Sequence, residues 1–303
     1  MDLCFSGVGI QGLRVRVRQV RALSRMSEKV ALVTGSTDGI GLHTLKNLAK
    51  MGYVTLVHGR NPEKVKAVGE MIKSEGGVVQ EYVADFASLA QVRRLAEEVA
   101  ERNSKIDVLI NNAGVFEVER RTSADGYEMT FAVNVLAPFL LTSLLMKTLK
   151  AAPAARIINV ASISHMQGGA GRRGGEIDFD NLQHESGYDV YGAYGLSKLS
   201  LIAFTNELAD RLRGSTITAN ACDPGTVNTK MLLSGWGRVG MDVSSANNET
   251  FLATDPSLEG VSGKYFVSRR ETKAAFSTYD EQVRRKLWEQ LETLTQATYS
   301  DLP

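Results

Sequence analysis

The chain has 303 residues, 43% of them hydrophobic and 23% charged. That is enough for one large core, and α/β folds of this length are commonly a single domain. A net charge of +1 gives no global electrostatic case for nucleic acid, and no apolar run reaches the ~18 residues of a transmembrane helix.

Residues 1–27 hold Arg14, Arg16, Arg18, Arg21 and Arg25 against Asp2 alone, which leaves the rest mildly acidic. The apolar part, Leu3 to Leu13, is too short and too Gly-rich to span a bilayer. An Arg-rich, acid-poor leader is compatible with an organellar presequence; the alternatives are a disordered basic extension or a start at Met26. Residues 1–27 are therefore read as an extension and 28–303 as one domain. Cys4 and Cys222 cannot make a disulfide framework, which fits a reducing compartment. The cytoplasm is the expected location, with a mitochondrion or plastid as the alternative. His43, His58, His165 and His184 are scattered, and no metal site is expected.

From residue 28 the pattern alternates strand and helix. Val30–Thr34 is a Val-rich strand, and Ile40–Lys50 has helical spacing of Ile40, Leu45, Leu48 and Ala49. Val54–Val57 is a second strand. Pro62 opens a helix to about Ser74. Val78–Val83, Asp107–Ile110 and Arg156–Val160 are further strands, with a helix at Leu89–Arg102 and helical segments around Glu128–Ala132 and Val135–Lys150. A helix from about Tyr194 to Leu212 leads to strand Thr216–Ala221. A last strand, Tyr265–Val267, precedes a helix from Glu281 to about Thr295. Such alternation predicts an α/β fold, a doubly wound parallel sheet with helices on both faces. Ligands of these sheets bind beyond the C-terminal strand ends, so the loops there are the candidates.

The first such loop is Thr34-Gly35-Ser36-Thr37-Asp38-Gly39-Ile40-Gly41. Its glycines allow a tight turn and close approach to a pyrophosphate at a helix N-terminus. The Gly35-x-x-x-Gly39-x-Gly41 spacing is longer than G-x-G-x-x-G. Asp38 sits at the expected N-cap, where its carboxylate is structural and Ser36 and Thr37 face the phosphates. After the second strand, His58-Gly59-Arg60-Asn61 offers no acid for a ribose 2′-hydroxyl and one cation, Arg60, for a 2′-phosphate, so NADP(H) is expected. Asp85, beside Phe86, can accept from the adenine amino group or cap the following helix. Asn111-Asn112-Ala113-Gly114 suits a backbone lying against a ribose, or a plain turn. Tyr194 and Lys198 are an i,i+4 pair on one helical face. Free phenol titrates near ~10, and lowering that by roughly 3 units requires about 4 kcal/mol of differential stabilisation. A lysine ammonium and an oxidised nicotinamide at close range are the expected source.

The order TGxxxGxG, Asp85, Asn112-Ala113-Gly114, Asn134, Ser162, Tyr194/Lys198 and Asp223-Pro224-Gly225-Thr226-Val227-Asn228-Thr229 resembles the short-chain dehydrogenase/reductase superfamily, a Rossmann-like fold, across residues 28–230. The resemblance implies a catalytic set of Asn134, Ser162, Tyr194 and Lys198. Tyr194 would give a proton to a carbonyl or take one from an alcohol. Ser162 would bond the reacting oxygen, Lys198 would lower the tyrosine pKa and hold the nicotinamide ribose, and Asn134 would position a relay water. Pro224, Gly225 and Thr229 would hold the nicotinamide. The stretch from Ser162 to Tyr194 is longer than is usual and contains Gly168 to Gly175, with Arg172-Arg173, and then Ile177-Asp-Phe-Asp-Asn-Leu182. That insertion resembles the retinol-dehydrogenase-like and WW-domain-oxidoreductase-like branch, which implies NADP(H) and lipophilic aldehydes or ketones. Arg172-Arg173 is read as a solvated loop or as a contact for an anionic substrate. Met231, Leu232, Leu233, Trp236 and Met241 give the segment after Thr229 an apolar face for a bulky substrate or for packing. A homodimer paired through the helices bearing Asn134 and Tyr194 is the partner state the resemblance implies.

Two rivals stand beside this reading. A nucleotide-sugar epimerase or dehydratase shares the Tyr/Lys pair, but the stretch after Thr229 barely permits its larger substrate domain. A non-catalytic NADP(H)-binding scaffold on the same fold would typically lose Tyr194 or Lys198. A serine hydrolase fails for want of a G-x-S-x-G elbow.

Overall fold

Short Val-, Ile- and Leu-rich runs form the parallel part of an eight-stranded sheet in a computed structural model that describes residues 28–168, 175–300 and 302. They are β1 (Val30–Val33), β2 (Val54–Gly59), β3 (Val78–Val83), β4 (Val108–Asn111), β5 (Ala155–Val160), β6 (Ile217–Cys222) and β7 (Tyr265–Val267). β8 (Arg270–Thr272) returns antiparallel to β7 through Ser268 and Arg269, both at positive φ. The order β3-β2-β1-β4-β5-β6-β7-β8 reverses direction between β1 and β4. The basic leader and Arg172-Arg173 lie outside the described residues.

The helices are α1 (Gly39–Lys50), α2 (Pro62–Ser74), α3 (Leu89–Arg102), α4 (129–144), α5 (Met146–Lys150), α6 (Val190–Arg211), α7 (Lys230–Gly235), α8 (Asn248–Thr254) and α9 (Glu281–Thr295). Strand side chains alternate between two cores. Leu32, Leu56, Leu109 and Ile157 pack with α3, α4, α6 and α9. Val33, Val57, Ile110 and Ile158 pack with α1, α2 and α8 on the other face. No helix among the described residues is long and apolar enough to cross a membrane.

α7 and α8 were not expected from the sequence, and two expected helices differ in their extent. α6 starts at Val190, before Tyr194, because Asp189 caps it by accepting Gly192 N–H at 2.7 Å. α4 is one continuous run whose middle, Ala132–Leu136, is a π-helical turn carrying Asn134. α6 is buried from Ala193 to Ala209, and α9 packs against it.

Candidate active site

A cavity of about 460 Å³ opens beyond the strand ends at the β1/β4 reversal. Every residue expected to hold the cofactor lines it except Ser36 and Gly225. Ser36 is fully buried, and its hydroxyl accepts the His58 N–H at 3.1 Å. It ties the β1 end to β2 rather than facing phosphates, which corrects the sequence expectation. Gly225, at positive φ, gives its N–H to Asp223 at 2.7 Å and shapes the turn from behind the wall.

The Gly-rich loop is built for close approach. A Cβ on Gly35 would stand 2.8 Å from Ala113 Cα, and one on Gly41 2.4 Å from Asn112 Nδ2. Asp38 caps α1 as expected, accepting Gly39 N–H at 2.9 Å, and also pairs with the Lys230 ammonium, which lowers its pKa. The next N–H groups, on Ile40 and Gly41, meet no acceptor among the described residues and lie on the cavity wall. Two orphan donors at a helix N-terminus fit a diphosphate. Arg60 stands exposed on the same wall, with no ion-pair partner among the described residues. Asp85 does not cap α3. Its Oδ1 accepts Ala87 N–H at 3.0 Å, while Asp125 from another loop accepts Leu89 N–H.

His58 was missed as a site residue by sequence reasoning. Its Nδ1 accepts Gly35 N–H at 3.1 Å, so the proton sits on Nε2, which donates to Ala84 O at 3.1 Å. The ring stacks on Phe86 at 4.5 Å between centroids. Burial pushes its pKa down to about 4, so it is neutral and locks the loops after β1, β2 and β3 together.

Tyr194 and Lys198 are both buried at the inner end of the cavity. Lys198 Nζ donates to Val160 O at 2.8 Å and lies 5.5 Å from the Tyr194 ring centroid. Burial raises the phenol above its usual pKa, while the nearby Ser162 hydroxyl acts to pull it down. Burial also pushes Lys198 down to about 8. In the protein alone the Lys198 ammonium faces the Tyr194 ring and the Val160 carbonyl, and burial outweighs the groups that favour a phenolate. A Cβ on Gly114 would stand 3.2 Å from Asn134 Oδ1 and 3.6 Å from Lys198 Nζ, so this glycine leaves room beside the lysine for a ribose.

Ser162 and Asn134 are close behind the wall. Ser162 Oγ accepts Ser164 N–H at 3.1 Å, and its carbonyl accepts from His165 Nδ1 at 2.7 Å. Asp223, whose role the sequence reading left unassigned, holds Ile163 N–H and Gly225 N–H at 2.7 Å each and so joins the loops after β5 and β6. Asn134 Oδ1 accepts Val115 N–H at 2.8 Å, and Nδ2 donates to Val115 O and Ser197 Oγ. Both amide hydrogens are given to protein acceptors, so the side chain ties the Gly114-Val115 turn to α6.

An aromatic cover closes over the tyrosine. Phe116 and Trp236 lie 5.5 and 5.7 Å from the Tyr194 ring, and Tyr191 packs on both. Phe116 and Tyr191 were not found in the sequence, because they join Trp236 only across loops far apart in the chain. Of the apolar residues expected after Thr229, Met231 lines the cavity, whereas Leu233 and Met241 are exposed.

Comparison with known proteins matches residues 29–174 to the family model described as short chain dehydrogenase. The human polyprenol dehydrogenase is 37% identical over 86% of this chain and 83% of its own. The mouse retinol dehydrogenase 13 is 37% identical over 86% of this chain and 81% of its own. Among solved structures, an uncharacterised protein from Mycobacterium paratuberculosis superposes with a TM-score of 0.73 at 26% identity, covering 89% of this chain and 94% of that one. A protein from Beutenbergia cavernae, described as an NAD(P)-dependent gluconate 5-dehydrogenase with NADP bound at low occupancy, reaches 0.64 at 26% identity, over 79% and 94%.

Proposed function

The chain belongs to the short chain dehydrogenase family and is an oxidoreductase acting on CH–OH groups, and from that premise we propose that it interconverts a lipophilic aldehyde or ketone and its alcohol with NADP(H). One observation carries the reading. The buried Tyr194, with Lys198 against its ring and the Ser162 hydroxyl acting on its proton, sits at one end of a cavity whose other end offers free helix N–H groups and Arg60.

The nicotinamide, when bound, supplies or takes the hydride. Ile40 and Gly41 N–H groups would hold the diphosphate, Arg60 a 2′-phosphate, and Lys198 the ribose. Tyr194 is protonated in the protein alone, so it holds the proton that a reduced carbonyl oxygen needs, and a bound cofactor has to ease its release. The Ser162 hydroxyl bonds the same oxygen and stabilises the charge that grows there. In the alcohol-oxidising direction the phenol must be made acidic, and the positive charge of an oxidised nicotinamide favours that. Phe116, Tyr191 and Trp236 supply an aromatic wall for a lipophilic substrate, and the names of the polyprenol and retinol relatives accord with it.

The test is a panel of retinoid, steroid, quinone and aliphatic carbonyls with NADPH and with NADH. Tyr194→Phe should lower turnover at least ~100-fold, the usual weight of a general acid, while cofactor affinity holds. Turnover that survives this change overturns the mechanism. Equal use of NADH overturns the role of Arg60.

A further inference from the structure

Lys230 opens α7 with its ammonium bonded to the Asp38 carboxylate, and both residues line the cavity. This pair joins two working parts. Asp38 caps α1 beside the free Ile40 and Gly41 N–H groups, and α7 leads into Trp236, which covers Tyr194. α7 buries none of its own residues; besides the contacts at its two ends, Leu232 in its middle lies 2.7 Å from where a Cβ on Gly240 would stand. At its far end the Tyr191 hydroxyl donates to Gly235 O at 2.7 Å, and a Cβ on Gly235 would stand 2.9 Å from the Phe116 ring. At its near end the starts of α7 and α1 abut: a Cβ on Gly39 would stand 3.3 Å from the Thr229 methyl. Lys230 therefore lies one residue from a wall contact with the donors that suit a diphosphate.

We propose that Lys230 is a positioning residue whose ammonium passes from Asp38 to the cofactor diphosphate, so that cofactor binding resets α7 and the aromatic cover over Tyr194. The inference rests on the dinucleotide reading given above. The Lys230–Asp38 pair is exposed on both sides, and exposed pairs hold weakly and are screened by salt. A diphosphate presents more charge and more acceptor oxygens than one carboxylate, and so competes for the ammonium. Lys64, whose charge also acts on Asp38, adds a second cation near the exchange. With the cation moved, the strap turns about its Tyr191–Gly235 and Phe116 attachments, and Trp236 shifts relative to the phenol. Substrate access to Tyr194 thereby follows cofactor arrival.

Trp236 supplies the readout. The other tryptophan, Trp288, is fully buried, so acrylamide quenching of the full-length protein reports mainly Trp236. The probe is 2′-phospho-ADP-ribose, which carries the diphosphate but no nicotinamide ring to stack on the indole. In the natural chain the probe should change the quenching constant. In Lys230→Met it should bind about tenfold more weakly, as for one lost charge-assisted hydrogen bond, and leave quenching unchanged. Lys230→Arg should restore the response, and Asp38→Asn should shift quenching toward the bound level without probe. A full quenching response in Lys230→Met overturns the coupling while leaving the dinucleotide reading standing. A natural chain that binds no probe overturns that reading, and this inference with it.

Discussion

At Lys198 the surroundings, more than the side chain, set the charge. Burial brings its pKa down to about 8, so the ammonium disappears as pH rises through that value. The same shift acts on stability: between about 8 and the ordinary 10.5 the unfolded chain binds a proton that the folded chain does not, so folding gains as pH climbs through that window. Function should move the other way. The kcat/KM for the cofactor, which reports free-enzyme groups, should fall above about pH 8. Lys198→Arg keeps its charge throughout and should lose that alkaline limb, even at reduced activity. A limb that stays in place in the arginine variant would assign it to another group. Lys198, Tyr194 and Arg60, which all line the cavity, were legible in the sequence from residue type together with the order of the motifs around them. His58 was not: its partners Gly35 and Ala84 lie 23 and 26 residues away, beyond any local pattern. Ser36 was misread for the same reason, since its hydroxyl answers to β2 and not to the loop that contains it.

Among the elements, the approach of α6 to the loop after β5 decides the geometry at Ser162. A Cβ on Gly195 would stand 2.6 Å from Gly168 N and 2.8 Å from Ser164 O. Gly195→Ala should push that loop, and Ser162 with it, off the phenol. Misplacements of about 1 Å can cost ~100-fold in rate, so turnover should fall by one to two orders of magnitude while affinity for 2′-phospho-ADP-ribose is kept. The melting temperature should fall as well, since overpacking costs about 1–3 kcal/mol. Unchanged turnover would mean that the loop absorbs the methyl. β1, β2, β4 and β5 were legible because strands buried on both faces read as largely apolar runs; β3, a half-exposed edge strand, was marked instead by its valines and Tyr82. β8 was not, because Arg270–Thr272 is exposed and Ser268-Arg269 takes positive φ without the usual glycine or asparagine. Nor did any periodicity mark the π-turn at Asn134, which inserts one residue into an otherwise regular helix.

For the molecule as a whole, two buried groups tilt stability in opposite directions. His58 titrates near 4 when folded, so the unfolded chain alone takes a proton between 6.5 and about 4, and stability falls as pH drops through that range. Glu249 is fully buried on α8, with neither carboxylate oxygen partnered among the described residues, and burial raises its pKa to about 7. The folded chain keeps a proton there that the unfolded chain releases above 4.5, so stability falls as pH climbs from 4.5 to about 7. Each slope approaches ~1.4 kcal/mol per pH unit, and the two oppose across the shared range. Glu249→Gln removes one of them. Its unfolding free energy relative to the natural chain should grow by about 1.4 kcal/mol per unit from pH 4.5 to 7 and then level off, as read by urea titration at stepped pH. A constant difference would show that Glu249 ionises as easily folded as unfolded.

The sheet ends at β8, a three-residue strand whose side chains all face water, with Glu271 tied to Lys264. A strand arriving from another molecule would find only a short ledge of free backbone, ringed by hydrated charge. Such an edge is a poor template for stacking, so a second chain finds little purchase at this end of the sheet.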